Sequence, residues 1–420
     1  MDSLKSQSNG KLIALDPLIN DSLADFFYDG ENGSITKIVN LIENNIEPPY
    51  SIALNGGWGT GKTTALKAIE NKLAVDEYPV IWFNPWEYDN SGDVVMALQK
   101  RIATSCQTKF KIAIKEMGVL GLSLLTSGVS TLGKKVAGID YKGVKDITED
   151  VRSALRKGQY ETYDDVVEAT KNDFIKLTHL IFDKNKGKPL IIILDDLDRC
   201  LPENALKLLE ALKNQFVAKN EKTGKAANVI IISGIDTGVA KQFIVERYKG
   251  LGSNFAINYF RKIFNLTLEL PAKQEDKLSR YLQEYVNELF AGVIKKENTS
   301  DICKLIIKMA NISGNKSIRA ILNIVNNYYV FCHTNQSNHQ YIDVLPFLFL
   351  REMWNDFYEE LSLEVRRAIE DNKDGHLTMG MVLADRSQFR FLDSSIRLNS
   401  LVDIFNSEIR VSDILAANLL

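Results

Sequence analysis

Gly56-x-x-x-x-Gly61-Lys62-Thr63 follows the short apolar run "SIALN" and opens "KTTALKAIENKLAV", a stretch with helical spacing. Glycines at such a turn let successive backbone N–H groups curl around an anion, because no Cβ stands in the way. The helix start adds its partial positive charge. In this strand–loop–helix setting the spacing fits a phosphate-binding loop, with Lys62 reaching the β- and γ-phosphates of a nucleotide and the Thr63 hydroxyl on Mg²⁺. The predicted nucleotide-binding residues are Gly56, Gly57, Trp58, Gly59, Thr60, Gly61, Lys62, Thr63 and Thr64.

A second group stands at the end of "LIIILDD", a run apolar enough to be buried on both faces. Asp195 is predicted to hold Mg²⁺ with Thr63, and Asp196 to orient or deprotonate an attacking water. Asp198 is a rival for that second role. Two acids at this place favour hydrolysis over transfer to a small-molecule acceptor. Lys62, Asp195 and Asp196 are therefore catalytic candidates, with ATP as substrate, although the loop reads only phosphates and does not separate ATP from GTP.

The elements that must position these groups alternate. Helical spacing covers Gly33–Ile46, and prolines in "EPPY" end it. Strands are predicted at Ser51–Asn55, at Tyr78–Trp86 with a turn at its end, at the run before Asp195, at Val229–Ser233 and at Phe264–Pro271. Helices are predicted between them: after Lys62, along "GDVVMALQKRIATSCQTKFKIAI" as one long helix, from Tyr163 to Lys184, and from Pro202 to about Ala218. Strands separated by helices imply a mostly parallel sheet with the nucleotide at its edge. The fold class is α/β, a P-loop NTPase sheet flanked by helices, followed by an all-helical lid and a C-terminal helical region. The domain reading is an N-terminal segment 1–30, a nucleotide-binding domain 31–271 with an insert at about 110–158, a lid 272–340 and a helical region 341–420.

Composition bounds the function. The chain has 420 residues, 45% hydrophobic and 25% charged, with a net charge of −3. That is ordinary for a globular protein with a sizeable core and argues against a general nucleic-acid coat. Cys106, Cys200, Cys303 and Cys332 are scattered without a CxxC pair, which fits a reducing cytoplasm. "CHTNQSNH" lacks a fourth ligand at familiar spacing, so no metal site is expected there. The N-terminus shows no signal-peptide pattern. Met117–Gly133 carries no charge but is shorter than a spanning helix and rich in Gly, Ser and Thr. It reads as a helical insert, and a weak membrane contact through 117–133 stays open.

Five segments in order resemble the KAP family of P-loop NTPases: "GGWGTGKTT", "WFNPWEYDN", "LIIILDDLDRCLPENALKLLEAL", "YFRKIFNLTLELP" and "GNKSIRAILNIVNNYY". Together they span roughly Asn55 to Asn323. The resemblance implies a fold like the additional-strand, AAA+-related NTPases with a helical lid. It also implies ties to membrane-associated signalling platforms and, in bacteria, to exclusion of phage. Many members carry transmembrane helices between the loop and the second motif, where this chain has 117–133. The chain departs from the pattern at three places: Gly57 replaces an acidic residue, Lys316 and Ser317 replace a proline region, and Pro85 replaces a small residue.

Supporting roles follow. Arg261 or Lys262, just before a strand, is a candidate basic finger that neutralises charge between the β- and γ-phosphates. Arg319, in the lid, is a candidate γ-phosphate sensor. Arg199 could pair with an acid or reach a neighbouring subunit, and Ser233 or Asp236 could report on phosphate and water. Trp82, Trp86 and Tyr88 read as an aromatic cluster that packs the core, with loop support or adenine stacking as the other reading. The expected function is an ATP-hydrolysing switch with Mg²⁺ in a cytoplasmic protein, acting in antiphage defence or assembly of a signalling complex. Its partner would be another protein chain, an effector or sensor, with a homo-oligomer also open. A nucleic-acid-stimulated ATPase and a non-hydrolysing nucleotide-dependent scaffold are the alternatives.

Overall fold

The computed structural model describes residues 34–91, 93–112, 163–217, 219–220, 223–270, 275–291, 296–313, 317–334 and 341–356, with isolated positions beyond. The N-terminal segment 1–30, the stretch 117–133 and most of the chain after 363 lie outside the described residues.

Five short apolar runs make one sheet: β1 (Tyr50–Asn55), β2 (Val80–Phe83), β3 (Leu190–Leu194), β4 (Val229–Ile235) and β5 (Leu266–Glu269). Their order is β2-β3-β4-β1-β5, and every pairing is parallel. All residues of β3 and β4 are buried, as strands covered on both faces must be. β4 thus lies between the strand that leads to the glycine loop and the strand that leads to Asp195. The register sets Leu194 beside Ser233 and Ser233 beside Ala53, which brings Asp195 level with Gly234 and Leu54.

Helices cover the faces. Before β1 stands α1 (Ser34–Asn44), and α2 (Lys62–Val75) begins at the loop lysine and buries Ala65, Leu66, Ala68, Ile69 and Leu73. Asp93 caps α3 (Val94–Thr108) by accepting from the N–H groups of Val95 and Met96. The predicted long helix ends here, well short of Ile114. Lys109 N and Phe110 N both donate to Ser105 O, Ile112 N donates to Cys106 O, and Lys111 takes a left-handed conformation. This closes the helix, and the buried Ile112 side chain pins the end.

After α4 (Tyr163–Lys184) and β3, α5 (Pro202–Ala211) passes into a π-helical turn at Leu212–Phe216 rather than continuing to Ala218. The second predicted strand is also shorter. It stops at Phe83, and Pro85, lacking an N–H for the ladder, opens a 3₁₀ turn through Ser91. α6 (Thr237–Arg247) and α7 (Gly252–Ile263) lead to β5. There Ser51 Oγ donates to Ile263 O at 2.7 Å, and Ser51 N donates to Asn265 Oδ1 at 3.1 Å, fixing the entry of β5 beside β1.

The chain divides into two compact units. One holds the sheet and its helices to Pro271, and the other holds the loop tip Gly59–Gly61 and the residues after Ala272. The described part of the second unit is helical: α8 (Glu275–Leu289), α9 (Lys296–Ser313), α10 (Ile318–Thr334) and α11 (Leu345–Met353). Aromatic contacts pack it, among them Phe290 with Tyr328 at 5.6 Å, and Tyr285 Oη donates to Asn326 Oδ1 at 2.6 Å. Among the described residues no helix is long and apolar enough to cross a membrane.

One glycine is fixed by packing. A Cβ on Gly234 in β4 would stand 2.7 Å from Leu66 Cδ1 and 3.3 Å from Asp195 Oδ1. Gly234→Ala is expected to destabilise the protein by about 1–3 kcal/mol through overpacking. Denaturant unfolding checks this, and an unchanged midpoint would show that α2 can shift away freely.

Candidate nucleotide site

The loop starts where β1 runs out. Asn55 turns the corner by donating through Nδ2 to both Glu269 carboxylate oxygens, at 3.0 and 2.9 Å, and accepting from Thr237 N at 3.0 Å. Gly56 N donates to Ile235 O at 3.3 Å. The ends of β1, β4 and β5 are thereby tied just below the turn. Gly59 and Gly61 then take φ of 72° and 100°, a region that side-chain-bearing residues avoid. Trp58 points outward and is 63% exposed, whereas Lys62 and Thr64 are buried and Thr63 is half-buried.

Within the unit that contains the loop tip, Ser317 Oγ donates to Gly59 O at 3.0 Å and accepts from Ala320 N at the start of α10. A Cβ on Gly59 would stand 3.6 Å from Arg319 Cβ, so Arg319 lies next to the tip.

Within the unit that holds the sheet, the acids gather near Lys62. Asp195 follows β3, with its N–H on Phe83 O at 3.1 Å. Both its carboxylate oxygens are buried without a hydrogen-bond partner. Burial, and then the neighbouring Asp196, push its carboxyl up to about 7, and Thr63 and Lys62 lie near enough to oppose this only in part. The Ser233 hydroxyl, on the strand between, is likewise buried without a partner, and so is Asp198 Oδ1. Four orphaned oxygens around a buried ammonium fit a site for phosphate and a hard divalent cation. Thr63 and Asp195 are the residues that would hold Mg²⁺. No group of three or more His, Cys, Asp or Glu that could hold a metal occurs among the described residues. A cation that takes its other ligands from phosphate and water needs none.

Asp196 adopts a left-handed backbone conformation, φ 59°, tolerable for aspartate but costly for most residues. This turns its side chain toward Arg199, whose Nε stands 2.9 Å from Oδ1, while Asn84 Nδ2 donates to Oδ2 at 3.4 Å. Burial raises the Asp196 carboxyl above its ordinary value, and Arg199 is the main opposing influence.

The "FNPWEYDN" segment braces this turn. Phe83 stacks on Tyr88 at 5.3 Å, the Arg199 guanidinium lies over the Trp86 ring at 5.2 Å, and Asp89 accepts from Leu201 N and Asn204 Nδ2 at 3.0 and 2.8 Å. The three aromatic residues therefore do not form one cluster. Trp82 packs instead under Lys67, at 4.1 Å, and Trp86 is half exposed.

The structure brings together Lys62, Thr63, Asp195, Asp196, Asp198, Arg199 and Ser233, but not Arg261 or Lys262. Those two lie on the last turn of α7, exposed, two and one residues before Ile263, which bonds to Ser51 at the start of β1. Asn55 is four strand residues away, roughly 13 Å. An Arg261 side chain there does not reach the loop of its own chain. Asp236 is committed to capping α6, accepting from Gly238 N and Val239 N. Asn84 and Gly234 were not singled out from sequence. A lone glycine inside an otherwise β-branched strand was the available signal for Gly234, and Asn84 had none beyond lying at the end of a strand.

Residues 32–335 match the KAP family P-loop domain. An uncharacterised protein of Methanocaldococcus jannaschii is 25% identical over 185 residues, covering 38% of this chain and 94% of its own. Among solved structures, Cdc6p from Pyrobaculum aerophilum aligns with a TM-score of 0.35 at 12% identity, over 99% of this chain and 88% of that one. Domain III of the replication initiation protein DnaA from Thermotoga maritima aligns with a TM-score of 0.33 at 12% identity, over 83% of this chain and all of that one.

Because the ionised form of Asp195 is disfavoured by folding, its contribution to stability falls as pH rises from its ordinary value of 3.8 to about 7. Asp195→Asn is thus expected to stabilise the protein without added nucleotide by about 1–3 kcal/mol at neutral pH, with the gain shrinking toward pH 4. Thermal unfolding across that pH range is the measurement, and a destabilised variant at neutral pH would contradict the assignment of an unpaired buried charge.

Proposed function

The chain belongs to the KAP family of P-loop NTPases, and from that premise we propose that it hydrolyses ATP as a switch acting on another protein chain. The observation that supports this most is the placing of a buried loop lysine and a buried carboxylate without a geometric hydrogen-bond partner, Asp195, on strands either side of β4. Such a carboxylate is costly to keep unless a bound cation offsets it.

On this reading Lys62 and the loop N–H groups hold the phosphates, and Thr63 and Asp195 hold Mg²⁺. The ion would neutralise charge on the β- and γ-phosphates. Asp196, oriented by Asn84 and Arg199, accepts a proton from the attacking water. The Ser233 hydroxyl is free to hydrogen-bond that water or the γ-phosphate. Arg319, beside Gly59, is the proposed reader of the γ-phosphate. Since Arg261 lies away from its own loop, a finger role for it requires a second copy, and a homo-oligomer is part of the proposal.

The biological reading is antiphage defence or assembly of a signalling complex in the cytoplasm, with membrane contact through 117–133 tested separately. This rests on the family alone.

Hydrolysis of ATP by the purified protein, alone and with DNA, RNA or lipid vesicles, tests the reading. Slow Mg²⁺-dependent turnover is expected, lost in Lys62→Ala. Asp196→Asn should cut turnover at least 100-fold while leaving ATP bound, as removal of a general base does. Wild-type turnover in Asp196→Asn would transfer the base role to another acid. Strong stimulation by DNA or RNA would favour the nucleic-acid-dependent alternative. Arg261→Ala should abolish any rise of specific activity with protein concentration, and a rate per chain that never depends on concentration would argue against a finger supplied by a second copy.

A further inference from the structure

The loop lysine is already fully engaged by the protein. Its Nζ donates to Gly56 O at 2.8 Å, to Gly57 O at 3.3 Å and to Asp198 Oδ2 at 3.3 Å, which uses all three ammonium hydrogens. The Lys62 and Asp198 side chains are 7% and 1% exposed, so the pair is buried. The same Asp198 oxygen accepts a second hydrogen bond, from Trp58 Nε1 at 2.9 Å. Trp58 is the most exposed residue of the loop, and nothing about its ring requires the site. One oxygen therefore links the phosphate-binding cation to a surface indole.

A triphosphate seated on the loop needs that same ammonium. Of the three acceptors on Lys62, two are loop carbonyls and only Asp198 carries a charge, of the same sign as the phosphate. Coulomb repulsion in a buried site is poorly screened, so phosphate and Asp198 compete for one cation rather than share it. With Lys62 drawn to phosphate, Asp198 keeps one partner on Oδ2 and none on Oδ1. A buried carboxylate left this way moves or takes up another donor.

We propose that Asp198 and Trp58 form a latch on the loop. Asp198 restrains Lys62 and lowers affinity for nucleotide, and engagement of Lys62 by a nucleoside triphosphate releases Asp198 and repositions Trp58 at the surface. Trp58 is then a positioning residue through which occupancy of the loop is displayed to a protein partner. The latch rests on the nucleotide reading of this loop.

The test is calorimetric titration of the full-length protein with a non-hydrolysable ATP analogue and Mg²⁺, paired with tryptophan emission. Asp198→Asn keeps shape and a weaker acceptor but removes the competing charge, and is expected to bind the analogue about tenfold tighter. Trp58→Phe removes one donor to Asp198, leaves the ring outside the core, and should report the emission change by its loss. A nucleotide-induced change in emission is expected in the wild type, much reduced in Asp198→Asn and absent in Trp58→Phe. Equal or weaker binding by Asp198→Asn, with binding still lost in Lys62→Ala, overturns the latch and leaves the nucleotide site standing. Undiminished binding in Lys62→Ala overturns the nucleotide reading and the latch with it. An emission change that persists in Trp58→Phe overturns the assignment of Trp58 and is independent of how Asp198→Asn folds.

Discussion

A buried ammonium and three buried carboxylates share the C-terminal end of one parallel sheet, and the local structure is arranged around keeping them there. Lys62, Asp195, Asp196 and Asp198 are all at least nine-tenths buried. Charges removed from water in this way are tolerated only when paired or hydrogen-bonded. Asp196 has Arg199 and Asn84, and Asp198 has Lys62 and Trp58. Asp195 has no partner of comparable geometry, and only Thr63, the Asp196 backbone and the Lys62 charge oppose its burial, in part. The site therefore keeps an incompletely offset buried carboxylate at the end of β3, the position that the proposed reading gives to a metal ion.

The sheet order produces this concentration of charge. Placing β4 between β1 and β3 leaves a gap of one strand between loop and aspartate, and a residue with any side chain at Gly234 would fill it. Buried strands hold the level of each residue to its neighbour, because a slip by one would turn Ser233 or Asp195 toward the wrong face. The second motif has the complementary task. Its Asn84, Trp86 and Asp89 each hold a different part of the turn from Asp196 to Asn204, and Phe83 stacks on Tyr88 within the segment, so the motif serves as a brace.

What could be read from the sequence was what the chain determines locally. "GGWGTGKTT" between a strand and a helix, and "LIIILDD" as a doubly covered strand ending in acids, carry their meaning within a few residues. The parallel sheet followed from alternation of strand and helix. Asn84, Gly234 and Ser317 were not legible in the same way, since each matters through a partner 39 to 258 positions away that only pairing and register reveal: Asp196, Leu66 with Asp195, and Gly59. The helix after Asp93 was overextended for a related reason. Its apolar spacing continues past Thr108, but the backbone closes on Ser105 and Cys106, and the buried Ile112 belongs to that closure. Arg261 stands away from the loop of its own chain: nearness to a strand in sequence does not say which end of the sheet a residue occupies.

The charge balance at the loop narrows what can bind there. With all three ionised, Asp195, Asp196 and Asp198 outnumber Lys62 and Arg199 by one charge, although burial pushes the Asp195 carboxyl up to about 7 and leaves it only partly ionised at neutral pH. A bare triphosphate would add to that excess in a poorly screened environment. On the proposed reading, phosphate can enter only if cations enter with it or are freed from existing pairs. Mg²⁺ supplies the first route through Asp195, and release of Lys62 from Asp198 supplies the second. On the same reading, a loop whose own lysine is held by an acid would select a ligand carrying both a metal ion and enough phosphate charge to win the lysine. That selectivity is what a switch requires, since a diphosphate has less charge with which to win Lys62 than a triphosphate.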